Sequence, residues 1–238
     1  MIELAVALVI IAILLGTILV PLQTQVEQRQ VSETQKLLDD IKEALVGHAA
    51  ARGYLPCPDR TTGGAATPNN TANDGVEDFD TATGACFVGA GVNAGNVPWV
   101  TLGLGAMDPW GNRFRYKVEP NYARRAPGTT FNLTSAANLL MCTTSTCAVR
   151  LTMTPPDGPV AVILSHGKNG FGAINAVTAA QQPLPTSADE LQNLGIGASL
   201  VSRTITPAGA GAGEFDDIVN WLGKYSLFNR MVAAGRLP

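Results

Sequence analysis

Residues 1–20 are almost wholly apolar and carry one charge, Glu3, and this segment restricts the chain more than any other. About 20 apolar residues rising 1.5 Å each cross the ~30 Å of a bilayer's hydrocarbon as a helix, so the chain is expected to begin in a membrane or in something equally apolar. A secretory signal peptide shows a basic leading region, a shorter apolar stretch and a small-residue cleavage site. None precedes or closes this segment, which is therefore expected to stay in the mature protein. A carboxylate inside a spanning helix is costly without a partner, which makes Glu3 a candidate functional residue. The alternative places Glu3 in water among the headgroups.

Beyond Pro21, Val31, Leu38, Ile41, Leu45 and Ala49 recur at steps of seven, three, four and four residues, one apolar stripe of a helix. Glu27, Arg29, Lys36, Asp39, Asp40 and Glu43 occupy the opposite face, at spacings that permit pairing along the helix. That face is expected to be wet or to meet a polar neighbour. Arg52-Gly53-Tyr54-Leu55-Pro56 supplies the stop. The spacing predicts a helix of ~75 Å over most of residues 1–52. Its first part, residues 1–22, is apolar all round and inserts; residues 23–53 are amphipathic and pack on a head formed by residues 54–238.

Met1-Ile2-Glu3-Leu4, the apolar run to Gly16, and then Pro21 resemble the N-terminus of type IV pilins and type II secretion pseudopilins. Mature chains of that family begin with a methylated Phe, carry Glu as the fifth residue, and have a helix-softening Pro about seventeen residues after it. Here the Glu is third and Pro21 lies eighteen residues beyond it. The first departure implies a short basic leader and two mature residues ahead of Met1. The second shifts any melted helical segment, with Gly16 and Pro21 as its softening residues, by one position.

The hydrophobic content of 46% against 15% charged residues suits one domain with an ordinary core beyond the anchor. A formal charge of -3 and a pI near 5.4 provide no basic stripe for a phosphate backbone, so nucleic acid is not expected as the main partner. Cys57, Cys86, Cys142 and Cys147 all fall outside the apolar segment, and their even number suits two disulfides in an oxidising compartment. Cys142 and Cys147 flank Thr143-Thr144-Ser145-Thr146, which reads as a hairpin tip closed by a local bridge. Cys57 would then pair with Cys86, one of three connectivities that four cysteines allow. A zinc site competes, but no second short Cys or His pair lies near Cys-x4-Cys.

The composition of residues 59–96 shifts to Gly, Thr, Asn, Asp and Ala, marking a long surface loop. Short β-rich runs are expected at residues 113–118, 139–141, 148–153 and 160–164, as a small antiparallel sheet on the amphipathic helix. Residues 176–213 read as a second loop. Ile218-Val219-Asn220-Trp221-Leu222 and Leu227-Phe228-Asn229-Arg230-Met231-Val232 read as a C-terminal helix or turn with an apolar face. The expected class is α+β, a long N-terminal helix on a small sheet with long loops.

Asp108-Pro109-Trp110-Gly111-Asn112-Arg113-Phe114-Arg115-Tyr116 is similar to a segment of the major type II pseudopilins. On its own chemistry, Pro109 and Gly111 make a turn, Trp110 a large ring to bury, and residues 113–116 a half-buried strand. In that family a Ser-x-Gly-x-Asp-Gly turn, a Gly-rich loop and an acidic Asp-Asp-Ile stretch with Trp close behind follow; here Ser165-His166-Gly167-Lys168-Asn169-Gly170 and Glu214-Phe215-Asp216-Asp217-Ile218-Val219-Asn220-Trp221 hold that order. The resemblance implies a calcium ion on Asp216 and Asp217 with backbone oxygens near Asn169, where the family commonly has Asp. The competing reading has Asp216 and Asp217 cap the helix that follows. Residues 70–80 place Gly75 sixth in an oxygen-rich loop, but Ala72 and Thr81 break the calcium-loop pattern, leaving a solvated acidic turn.

Enzyme readings find no constellation. His48 sits on the long helix, His166 in a Gly-rich turn, no Gly-x-Ser-x-Gly surrounds a serine, and the Gly-rich strings near Gly170 and Gly211 lack the Lys-Ser or Lys-Thr of a phosphate loop. The resemblance implies a structural subunit, not an enzyme. It would polymerise with copies of itself, its apolar helices bundled as the core and Glu3 neutralising a neighbour's N-terminal amine. The same resemblance implies a prepilin peptidase and inner-membrane assembly machinery as partners. It places the chain as a single pass in the bacterial inner membrane before assembly and in a periplasmic or extracellular filament afterwards. Two alternatives are a minor or tip subunit that initiates assembly or binds a substrate or surface, and a membrane-anchored binding protein that never polymerises.

Overall fold

The computed structural model describes residues 2–63, 70–87 and 93–237, and the side chains of residues 2, 5, 8, 11–22 and 93 lie outside that description. The register question at Met1, and the parts of the first expected loop at 64–69 and 88–92, fall outside the described residues.

The fold is α+β: an N-terminal helix, α1 (Ile2–Arg52), lies across a four-stranded antiparallel sheet. Strands β1 (Asn93–Asn96), β2 (Arg115–Val118), β4 (Pro159–Ser165) and β6 (Ile218–Gly223) stand in the order β1-β2-β4-β6. A separate pair, β3 (Leu140–Cys142) and β5 (Ser199–Val201), runs parallel on the other side of the sheet. Three further helices are α2 (Trp99–Leu102), α3 (Ala188–Leu194) and α4 (Lys224–Ala233).

Helix α1 runs unbroken through Gly16 and Pro21. Its stripe is the expected one with a member added: Thr34, fully buried, fills the seven-residue gap between Val31 and Leu38. The hydroxyl tolerates this because it donates to the Gln30 carbonyl at 2.7 Å, one turn back. The polar face is exposed, as its charges require, and pins the helix from outside. Asp39 accepts from Asn220 (2.8 Å) and Lys42 (3.1 Å), Glu43 pairs with Arg230 (2.6 Å), and Lys168 pairs with Glu27. At the helix end Gly53 takes φ +89, and Arg236 donates to the orphan carbonyls of Ala50 and Ala51. Among the described residues no helix is long and apolar enough to cross a membrane; most side chains of the expected span, residues 11–22, lie outside the description.

Strand β4 is buried at every position, which explains a continuous apolar run in place of alternation. Ala161 and Ile163 face α1, in a core with Leu38, Ile41, Leu45, Tyr116 and Val118. Val162 and Leu164 face a second core with Leu139, Met141 and Leu200. Strand β6 alternates likewise, Ile218 and Leu222 in the first core, Val219 and Trp221 against the second.

The expectation of helix or turn at residues 218–222 is therefore corrected. The run has period two, and β4 supplies the ladder it pairs with, in register from Ala161↔Leu222 to Ser165↔Ile218. The helix begins only at Lys224. Residues 148–153 form no strand. They fold back along β3 through two bonds, Thr143 N–H to Val149 O (3.0 Å) and Leu151 N–H to Met141 O (2.8 Å), and stay largely exposed. Residues 176–213 hold α3 and β5 rather than loop throughout; Asn193 organises them, its amide spanning both backbone groups of Val201 (2.7 and 3.0 Å).

Candidate functional site

Every described side chain from Glu3 to Arg29 is exposed, including those of Leu4, Val6, Val9, Ile10 and Val26, and burial against the head begins at residues 30–34. Glu3 thus stands on a stretch of α1 that the head does not cover. Both expected disulfides form: Cys57–Cys86, spanning 29 residues, and Cys142–Cys147, spanning 5. The first is held among ionic contacts, since Cys57 N–H donates to Glu77 (3.1 Å) and Glu77 pairs with Arg125, whose guanidinium lies over Phe79 at 3.5 Å.

Asp108 anchors the turn at the head of the Asp-Pro-Trp-Gly segment. Its Oδ1 accepts from the N–H groups of Trp110 (3.0 Å) and Asn112 (2.9 Å) while Gly111 takes φ +81. Its Oδ2 accepts from Ser165 Oγ (2.6 Å), and Ser165 Oγ accepts from Gly167 N–H (3.1 Å). Two turns that are far apart in sequence are thereby locked together. Gly167, at φ +60, passes so close to Asp216 that a Cβ would strike its backbone.

Beyond Gly167 the three residues of the implied calcium set part company. Asp216 Oδ2 accepts from Asn169 N–H (2.7 Å), but Asp217 turns away: Oδ1 lies 3.0 Å from His166 Nδ1 and Oδ2 accepts from Asn193 Nδ2 (2.7 Å). Both Asp217 oxygens are therefore engaged by protein groups, and the donor set does not fit the implied ion. Among the described residues no three His, Cys, Asp or Glu side chains are arranged to hold a metal. Helix capping by these aspartates is likewise absent, because a strand follows them.

What gathers around Asn169 instead is acidic. Its side-chain amide reaches Glu190 (3.3 Å) and Glu214 (3.4 Å), and Glu190 accepts from Asp216 N–H (3.1 Å). Asp216 Oδ1 and Glu190 Oε2 are buried without a partner. Burial, with the neighbouring carboxylates adding to it, pushes the Asp216 carboxyl up to about 7 and raises that of Glu190. Glu190 lies in a stretch without a motif, whereas Glu214 opens the stretch that resembles the Asp-Asp-Ile segment, where the resemblance assigns it no role.

Behind this cluster the outer face of β2 carries two cations, Lys117 buried and Arg115 half-buried. Arg115 donates to Leu194 O (2.6 Å) and Lys117 to Gly197 O (3.2 Å), the carbonyls at and just past the end of α3. Burial lowers the Lys117 ammonium to about 7, helped by the Arg115 charge. At the far edge of the sheet, residues 70–80 are not a solvated turn. They wrap around Asp59, which accepts from the N–H groups of Asn73 (2.9 Å) and Gly75 (3.2 Å) and from Asn96 Nδ2 (3.3 Å). Burial pushes the Asp59 carboxyl up to about 7.

A pocket of about 490 Å³ opens between α1 and the head, directly over Asp216 and Glu214. His48 and His166 are both occupied structurally, His48 lying against the Tyr54 carbonyl (3.1 Å) and His166 against Asp217. No protein-family model, curated protein or solved structure matches the chain.

Proposed function

We propose that this chain is a structural subunit that polymerises through the exposed half of α1 into a type IV pilus-like or pseudopilus filament, with the head on the outer surface. The observation that carries this reading is the division of one 51-residue helix: its described side chains through Arg29 are exposed and include large apolar ones, while the remainder is clamped to the head. At 1.5 Å per residue such a helix is ~75 Å long. Apolar surface of that extent is stable only when covered, by lipid or by the same helix of other copies. Bundled helices would leave Glu3 in a medium of low dielectric, where a neighbour's N-terminal ammonium is its natural counter-charge. The two disulfides support an oxidising compartment for the head, periplasmic or extracellular, with the inner membrane as the site before assembly.

Electron microscopy of sheared fibres, with the protein identified in them, tests the reading. Wild-type chain in cells with a working assembly machine is expected in fibres. Glu3→Ala is expected to abolish them while the protein stays at its normal level in the membrane. Wild-type fibre yield from Glu3→Ala would sink the role given to that carboxylate, and a chain that stays monomeric in such membranes would sink the filament.

A further inference from the structure

Three segments converge on Asn169 near the start of β6. Its backbone N–H donates to Asp216 Oδ2 (2.7 Å), in the stretch that leads into that strand. Its Nδ2 donates to Glu190 Oε1 on α3 (3.3 Å) and to Glu214 Oε1 (3.4 Å), and its Oδ1 accepts from Phe171 N–H (2.9 Å). A side-chain amide carries two N–H hydrogens and one oxygen, so each of its polar groups is engaged. The Phe171 bond also fixes which end of the amide the acids meet: Oδ1 is committed to an N–H, and Nδ2 faces Glu190 and Glu214. Glu190 Oε1 takes a second bond from Asp216 N–H (3.1 Å), which closes turn, helix and pre-strand stretch into one network. Glu190 is only 2% exposed, and a carboxylate so buried requires donors of this kind.

A cation at this place would meet the wrong groups. The calcium ion implied by the resemblance takes oxygens alone, six to eight of them. Here a nitrogen with two hydrogens points at the acids, and an N–H donor and a cation exclude each other from one position. Asp217 is already committed, since His166 and Asn193 hold its two oxygens. The oxygens that no protein donor reaches, Asp216 Oδ1 and Glu190 Oε2, belong to carboxyls within hydrogen-bond reach of each other, where a single shared proton bridges the two. The change Asn169→Asp would reverse this arrangement. A carboxylate oxygen would then stand where Nδ2 is, facing Glu190 and Glu214 with no hydrogen between them, while the other oxygen kept its bond to Phe171.

We propose that the Asn169 side-chain amide replaces a calcium ion as the clasp of this head, tying α3 and the 214–216 stretch to the turn after β4. The wild-type head therefore needs no calcium, and Asn169→Asp makes the same segments depend on it. This goes beyond the filament reading and holds for each head, assembled or not.

Melting of the full-length protein in detergent at neutral pH tests it, in excess chelator and in millimolar calcium at matched ionic strength. Wild type is expected to melt at the same temperature in both, within about 1 °C. Asn169→Asp is expected to melt about 4 °C or more below wild type in chelator, because two donors give way to a fourth carboxylate in the cluster, and to regain at least half of that loss in calcium. Asn169→Ala removes the clasp without adding charge and is expected to melt below wild type equally in both conditions. A wild-type melting temperature that calcium raises by several degrees overturns the proposal, and that measurement needs no variant to fold. Asn169→Asp or Asn169→Ala melting with wild type in chelator overturns it as well. Asn169→Asp lowered in chelator and not recovered by calcium overturns the equivalence of amide and ion. Absence of fibres, by contrast, bears on the filament reading alone.

Discussion

Single residues in this molecule act mainly by joining segments that sequence places far apart. Asp108 illustrates this: three donors from two turns converge on one buried carboxylate. Hydrogen bonds to a charged group contribute about 1.5–3 kcal/mol each, and stranded donors carry a further penalty. Asp108→Ala is accordingly expected to cost about 3 kcal/mol or more, read as a lower urea midpoint at unchanged slope. A loss under about 1 kcal/mol would mean that the two turns are held by something else. Asn193 has the same character, bonding Val201 and Asp217 at once. Its neighbours Asp189 and Glu190 are the residues on α3 that reach the Cys142–Cys147 tip and the acidic cluster.

At the scale of elements the two disulfides should not contribute equally. In a chain-entropy account a bridge stabilises by the loop it closes in the unfolded state, and the loops here span 29 and 5 residues. Replacing Cys57 and Cys86 together by Ala is expected to cost about 3–4 kcal/mol, and Cys142 and Cys147 about 2. Denaturation of the two double variants checks the order. Strand β6 is the instructive element: five residues of mixed apolar character suit a helix or a strand locally, and β4 beside them decides.

Across the whole molecule, burial of acids sets a pH dependence. The carboxyls of Asp59 and Asp216 are both pushed up to about 7 by burial, from an ordinary value of 3.8. Between those values the folded chain keeps protons that the unfolded chain has released, so stability falls as pH rises from about 4 to about 7. The melting temperature is expected to be higher at pH 5 than at pH 7, a window below the one in which release of the Lys117 proton opposes the fall, at about 2–4 °C per kcal/mol for a chain of this size. Asp216→Asn is expected to raise melting at pH 8 and leave it nearly unchanged at pH 5, since its amide would face the unpartnered Glu190 oxygen. A melting temperature equal at both pH values would refute the assignment.

The sequence by itself determined the features that depend on local pattern. The helix length follows from its periodicity and its stop at Gly53, the buried stripe from spacing, the turn at Gly111 from Pro and Gly, and the Cys142–Cys147 bridge from the polar tip between its cysteines, while the pairing of Cys57 with Cys86 was one of three connectivities until the fold selected it. Tertiary structure alone decided where side chains from distant segments meet. It separated Asp216 from Asp217, because adjacent residues of an extended segment point to opposite sides and His166 and Asn193 were waiting on one of them. It brought Glu190, which no motif marks, together with Glu214 at Asn169, and it buried Asp59 inside a loop that reads as wet. The physical reason is common to these cases: the energy of a charge depends on its desolvation and partners, and both are properties of packing that no short stretch of chain contains.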